Sequence, residues 1–127
     1  TGKVDVAADA CFVGFDAYKA VIAACDVVLL TTPPHFRPLH LKAAVEAGKH
    51  VFAEKPVAVD APGVRSVLAT CELAKQKGVS VVSGLCLRYD AGFRETVKRI
   101  QDGAIGDVLY VQANDLRSGR WKKERSP

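Results

Sequence analysis

Glu54, Lys55 and Pro56 stand directly after the apolar stretch His50–Ala53 in "KHVFAEKPVAVD", Lys49 to Asp60. An acid, a base and a rigid imino acid at the end of a short apolar strand are groups that can do chemistry. Pro56 disfavours the α region for the residue before it, so Lys55 is held extended and its side chain has a defined direction. The Lys–Pro bond itself is open to either isomer. A lysine part-buried in a cleft, beside a second positive charge, gives or takes a proton near neutral pH, which is the work of a general acid or base. Glu54 is placed to orient the ammonium or a ligand, although adjacent residues need not point the same way. A plain solvated turn is the alternative at this point, because lysine is common on surfaces.

Two further corners carry polar residues. Thr31-Thr32-Pro33-Pro34-His35 ends the run "DVVLLTT", and Leu87-Arg88-Tyr89-Asp90 follows another apolar stretch. The three histidines, His35, His40 and His50, are dispersed and offer no metal spacing. His35 follows a strand end, where it can touch a ligand or make a local hydrogen bond; His40 lies on a helix and reads as structural. No serine sits in a G-x-S-x-G elbow, so a hydrolase triad has no support. Cys11, Cys25, Cys71 and Cys86 are far apart and include no C-x-x-C. They read as reduced core residues, which suits a reducing, cytoplasmic setting.

The elements that must position these corners follow from pattern. Asp16 is placed to cap a helix over Ala17–Ala24 with Val21 and Ile22 inward. Asp26–Thr32 is an almost unbroken apolar run, the kind expected of a strand buried on both faces of a parallel sheet. A helix is predicted from Arg37 to Ala47, with Pro38 in its first turn, Leu41, Ala44 and Val45 on one face and Gly48 as its stop. His50–Ala53 is the next strand. Asp60 caps a longer helix, Ala61–Lys77, whose inner face reads as Val64, Val67, Leu68, Cys71 and Ala74, with Gly78 at its end. Val79–Ser83 is a third strand. Strand, helix, strand, helix, strand with short connections argues for right-handed crossovers and a parallel sheet. Consecutive parallel strands end on the same edge, where ligands sit in open sheets, so the three corners share that edge.

After Gly84 the pattern changes. Asp90 caps a helix to about Asp102 carrying Phe93, Val97 and Ile100, and Val108–Asn114 alternates as a strand with one covered face. The expected fold is α/β: a partial Rossmann-type parallel sheet with flanking helices in residues 1–89, then the first helix and strand of an α/β substrate domain in 90–127.

Composition excludes several classes. The 127 residues suffice for one compact domain, and 49% hydrophobic with 25% charged residues is ordinary globular usage. No apolar run approaches the roughly eighteen residues of a membrane span, and "TGKVDVAADA" lacks the blocks of a secretory signal. The chain does not start with Met, so native residues are expected before Thr1. The net charge of +4 is concentrated in Arg117, Arg120, Lys122, Lys123 and Arg125. These read as a solvated terminus, and no nucleic-acid-binding motif accompanies them.

"DVVLLTTPPHFRPLHLKAAVEAGKHVFAEKP" resembles, in order and spacing, the strand, TP-loop, helix, AGKxV strand and EKP corner of the Gfo/Idh/MocA family of NAD(P)-dependent oxidoreductases. "SGLCLRYDAGF" is similar to the segment after that family's last Rossmann strand, and "DGAIGDVLYVQA" to the G-x-I-G-x-V that opens its second domain. The similarity runs from about Phe12 to Asn114. The resemblance implies hydride transfer between NAD or NADP and a carbon of a sugar, polyol or related small molecule. It implies that Lys55 lies by the nicotinamide and the reacting hydroxyl or carbonyl as the acid/base residue, the oxidised nicotinamide supplying the second positive charge. It also implies that Thr32, Pro33, Pro34 and His35 line the dinucleotide, with Glu54 and Arg88 at its nicotinamide end. A homo-oligomer is implied for the full-length protein.

The chain departs from the family in places. No G-x-G-x-x-G occurs, and no acidic residue is assignable to the adenosine ribose. The family's later Asp/His pair would lie beyond Pro127. Cys86, Leu87 and Ala91 stand where Asn, a polar residue and Pro are frequent, and Arg37 where His is common. The chain therefore reads as the middle of a longer protein, and residues 1–127 alone are expected to show no turnover and little cofactor binding, because the pyrophosphate cradle is absent. A non-catalytic protein that keeps the Rossmann-like scaffold for binding or assembly is the other function class; Lys55 and the TP-loop favour the enzyme.

Overall fold

The computed structural model describes residues 2 and 5–116; the basic cluster from Arg117 to Arg125 lies outside them. Two compact units divide the chain, Thr1–Leu87 and Arg88–Pro127.

In the first unit, β1 (Val27–Leu30), β2 (His50–Glu54) and β3 (Val81–Gly84) form one parallel sheet in the order β1-β2-β3. α1 (Ala17–Ala23) precedes β1, α2 (Arg37–Glu46) joins β1 to β2, and α3 (Ala61–Lys77) joins β2 to β3. The register pairs Val28 with Val51 and Leu30 with Ala53, and all four side chains are buried. α2 lies against these strands through Leu41, Ala44 and Val45, and α3 packs on α2. Burying this apolar set, at about 25 cal/mol per Å², is what holds the layers together.

The opposite face differs from the expectation of a strand covered on both sides. Val27 and Leu29 remain 53% and 67% exposed. Strands that advance in one direction, joined by right-handed crossovers, place both connecting helices on the same face, so the described chain covers one face only. β1 also has no strand on its outer edge among the described residues.

Local signals set the helix ends. Asp60 Oδ1 accepts from the Gly63 N–H at 2.7 Å and starts α3; Gly78, at φ 68°, ends it in the left-handed conformation. Asp16 precedes α1 without making a side-chain cap, because its carboxylate pairs with Lys19 at 2.6 Å. The buried face of α3 is Val67, Thr70 and Ala74 with Cys71 beside them, while Val64 and Leu68 point outward. Thr70 is tolerated there because its hydroxyl donates to the Ser66 carbonyl at 2.8 Å. Ile22 of α1 is buried, and Val21 is not. The cysteines are free; Cys11 and Cys86 are exposed and Cys25 and Cys71 half-buried, so the core reading fails for the first two. Their segments lie in loops that the helix-covered face does not reach.

In the second unit α4 (Ala91–Gln101) begins where Asp90 accepts from the Phe93 N–H at 2.9 Å. Val108–Asn114 alternates in sequence but forms no strand. No described segment pairs with it, and a lone extended segment leaves its backbone groups to water.

Candidate active site

The C-terminal ends of β1, β2 and β3 lie on one edge of the sheet, which brings Thr32, Glu54 and Gly84 to that edge. The residue that joins the first two is Arg37, the first of α2. Only 1% of it is exposed. Its Nη1 donates to the main-chain carbonyl of Glu54, and its Nη2 donates to that of Thr32. The planar guanidinium fork thus ties the loop after β1 to the end of β2. Nε of Arg37 is buried with no hydrogen-bond partner among the described residues. Burial pulls the guanidinium below its ordinary range, and the Glu54 carboxylate opposes that shift.

A second layer rests on the first. His40, one turn along α2, is buried with Nδ1 3.3 Å from Thr32 Oγ1. Its ring stacks on Tyr18 of α1, with centroids 4.4 Å apart, and on Phe36, 5.7 Å away. Burial lowers its pKa, and the neighbouring Arg37 charge adds to this. The helix histidine is therefore a packed structural group.

Glu54 is half-buried, and its carboxylate lies against Gly84. A Cβ at position 84 would come within 2.8 Å of Glu54 Cδ and Oε2. No ion pair joins the Glu54 carboxylate to Lys55 among the described residues. Lys55 is exposed and has no hydrogen-bond or ion-pair partner among the described residues, so those residues do not supply the expected part-burial. The Lys55–Pro56 peptide bond is cis.

Thr32 and Pro33 border an apolar cavity of about 430 Å³ between α1 and β1, with Phe15, Tyr18, Leu29 and Phe36 among its walls. Glu54 and Lys55 do not line it. Pro34 and His35 form a 3-10 turn with Phe36, and the His35 ring meets Phe36 edge-on at 5.4 Å. Arg88 closes the turn Cys86–Arg88, is exposed, and opens the second unit. Among the described residues no group of three or more His, Cys, Asp or Glu is placed to hold a metal, and no helix is long and apolar enough to cross a membrane.

Arg37 is the organising residue that pattern reading passed over. The available signal was electrostatic. A cation in the first turn of a helix meets the positive end of the macrodipole, so its presence there calls for anchoring groups elsewhere.

Residues 3–85 match the oxidoreductase family with an NAD-binding Rossmann fold, Gfo/Idh/MocA. The chain belongs to this family. It is 41% identical over 89 residues to inositol 2-dehydrogenase 3 of Saccharopolyspora erythraea, a match covering 68% of this chain and 25% of that protein. To inositol 2-dehydrogenase of Acidiphilium cryptum it is 34% identical over 113 residues, covering 89% of this chain and 33% of the relative. The crystal structure of scyllo-inositol dehydrogenase from Lactobacillus casei, which holds NAD(H) and scyllo-inositol, superposes with a TM-score of 0.62 at 28% identity. That superposition covers 71% of this chain and 26% of the other. The chain thus spans 25% and 33% of the lengths of these two curated relatives.

Proposed function

We propose that this chain forms part of an NAD(P)-dependent dehydrogenase acting on the CH–OH group of a polyol of the inositol type, with Lys55 as its acid/base residue. The observation that carries the reading is the joined sheet edge: Arg37 fixes the loop of Thr32 and the carbonyl beside Lys55 on one rim. The names of the relatives, inositol dehydrogenases, support the substrate class.

The residues present fit one wall of a dinucleotide site. Thr32 and Pro33 give a flat ring an apolar border, with Pro34 and His35 continuing the loop. Glu54 and Arg88 are assigned to the nicotinamide end. The phosphate-cradling G-x-G-x-x-G is not among the 127 residues, so this chain supplies no such contact. Oxidised NAD(P), held along the Thr32–His35 loop, would supply the hydride acceptor for the carbinol carbon. Lys55, as the free amine, takes the hydroxyl proton as the carbonyl forms; in the reverse direction its ammonium returns it. A homo-oligomer and a substrate domain starting near residue 90 belong to the same reading.

The test is NADH or NADPH formation by the natural-length polypeptide supplied with myo- or scyllo-inositol. Polyol-dependent reduction supports the reading. Binding of the dinucleotide without reduction by any polyol or sugar overturns it in favour of a scaffold role.

A further inference from the structure

Arg37 holds an unfavourable place. It is buried, its Nε has no partner among the described residues, and its charge sits in the first turn of a helix, against the macrodipole. What it gains is two main-chain acceptors from two different strand ends. The carbonyl of Glu54 belongs to the same planar peptide as the nitrogen of Lys55. Anchoring that oxygen fixes the plane from which the Lys55 Cα projects. The other arm of the fork anchors the carbonyl of Thr32. The guanidinium is rigid, so the separation and angle between the two carbonyls are set by one group.

We propose that Arg37 is a positioning residue for the reaction: its fork fixes the Glu54–Lys55 peptide relative to the Thr32 loop, and so sets where the Lys55 amine meets the substrate. The inference rests on reading Lys55 as the acid/base group. Arg37 acts through Lys55 and touches no reactant. Lysine at position 37 keeps the charge but offers one ammonium on a flexible stem, which does not hold two carbonyls at a fixed spacing.

The experiment is a double-mutant cycle on the natural-length polypeptide with NAD and inositol, using Arg37→Lys, Lys55→Ala and the pair. Arg37→Lys is expected to lower kcat about ten- to a hundredfold, the scale of an ångström-sized misplacement, with KM for NAD changed far less. In the Lys55→Ala background the same change is expected to cost less than about threefold, because the group it positions is gone. An equal loss in both backgrounds, or none in either, overturns the positioning role. If Lys55→Ala alone leaves turnover intact, the acid/base reading fails, and that result is separate from either outcome for Arg37. Should Arg37→Lys not fold, Arg37→His goes through the same cycle with the same criteria.

Discussion

The main-chain carbonyl of Glu54 accepts a hydrogen bond from Nη1 of the buried Arg37, and the other arm of the same guanidinium holds the carbonyl of Thr32. One side chain therefore closes the gap between two loops that are far apart in sequence. Removing the fork while keeping the bulk, as in Arg37→Met, strands two carbonyls. Each part-buried carbonyl loses a charged donor, and about 1.5–3 kcal/mol is typical for a hydrogen bond to a charged group, less where water can replace the donor. Arg37→Met is expected to lower unfolding stability by about 2–4 kcal/mol, read as a lower urea midpoint. An unfolding free energy within about 0.5 kcal/mol of the parent's would show that the clamp contributes nothing to the fold.

Gly84→Ala probes the other side of Glu54. The new Cβ would approach the Glu54 carboxyl to 2.8 Å, and that carboxyl is the free end of a flexible side chain. The carboxylate is expected to swing away while the sheet survives. Stability should change by no more than about 1 kcal/mol, and kcat/KM for NAD should fall because Glu54 is assigned to the nicotinamide end. An unchanged kcat/KM would remove the Glu54 carboxylate from cofactor contact.

His40 makes stability depend on pH in a defined direction. Its pKa in the folded chain lies below the ordinary 6.5, through burial first and the Arg37 charge second. Above 6.5 both the folded and unfolded forms are neutral at this ring, so it adds no slope. As pH falls through 6.5 the unfolded chain binds the proton more readily, and stability drops until the folded pKa is passed. Urea midpoints between pH about 7.5 and about 5 should fall more steeply for the parent than for His40→Leu. Parallel slopes would contradict this.

Much of the frame was legible because its signals are local. The apolar run after Asp26, Asp60 and Gly78 at the ends of α3, and Leu41, Ala44 and Val45 at helical spacing each specify structure within a few residues. What escaped depends on partners distant in sequence. Val27 and Leu29 look like core in a list of residues, but one-directional crossovers leave their face open. Val108–Asn114 has strand alternation without a neighbour to pair with. At the site, EKP and the TP-loop were visible as motifs, whereas the clamp between them is a contact from Arg37 to two backbone oxygens. Backbone acceptors have no residue signature, so only the odd placement of a cation at a helix start hinted at it.

The most direct measurement is turnover of Lys55→Ala in the natural-length polypeptide, with inositol and NAD and with small primary amines added to the assay. The expected result is a loss in kcat of about a hundredfold or more, partly restored by the added amine, with dinucleotide binding retained. Turnover equal to the parent's, with no response to amine, would contradict a proton-transfer role for Lys55, the residue that follows β2.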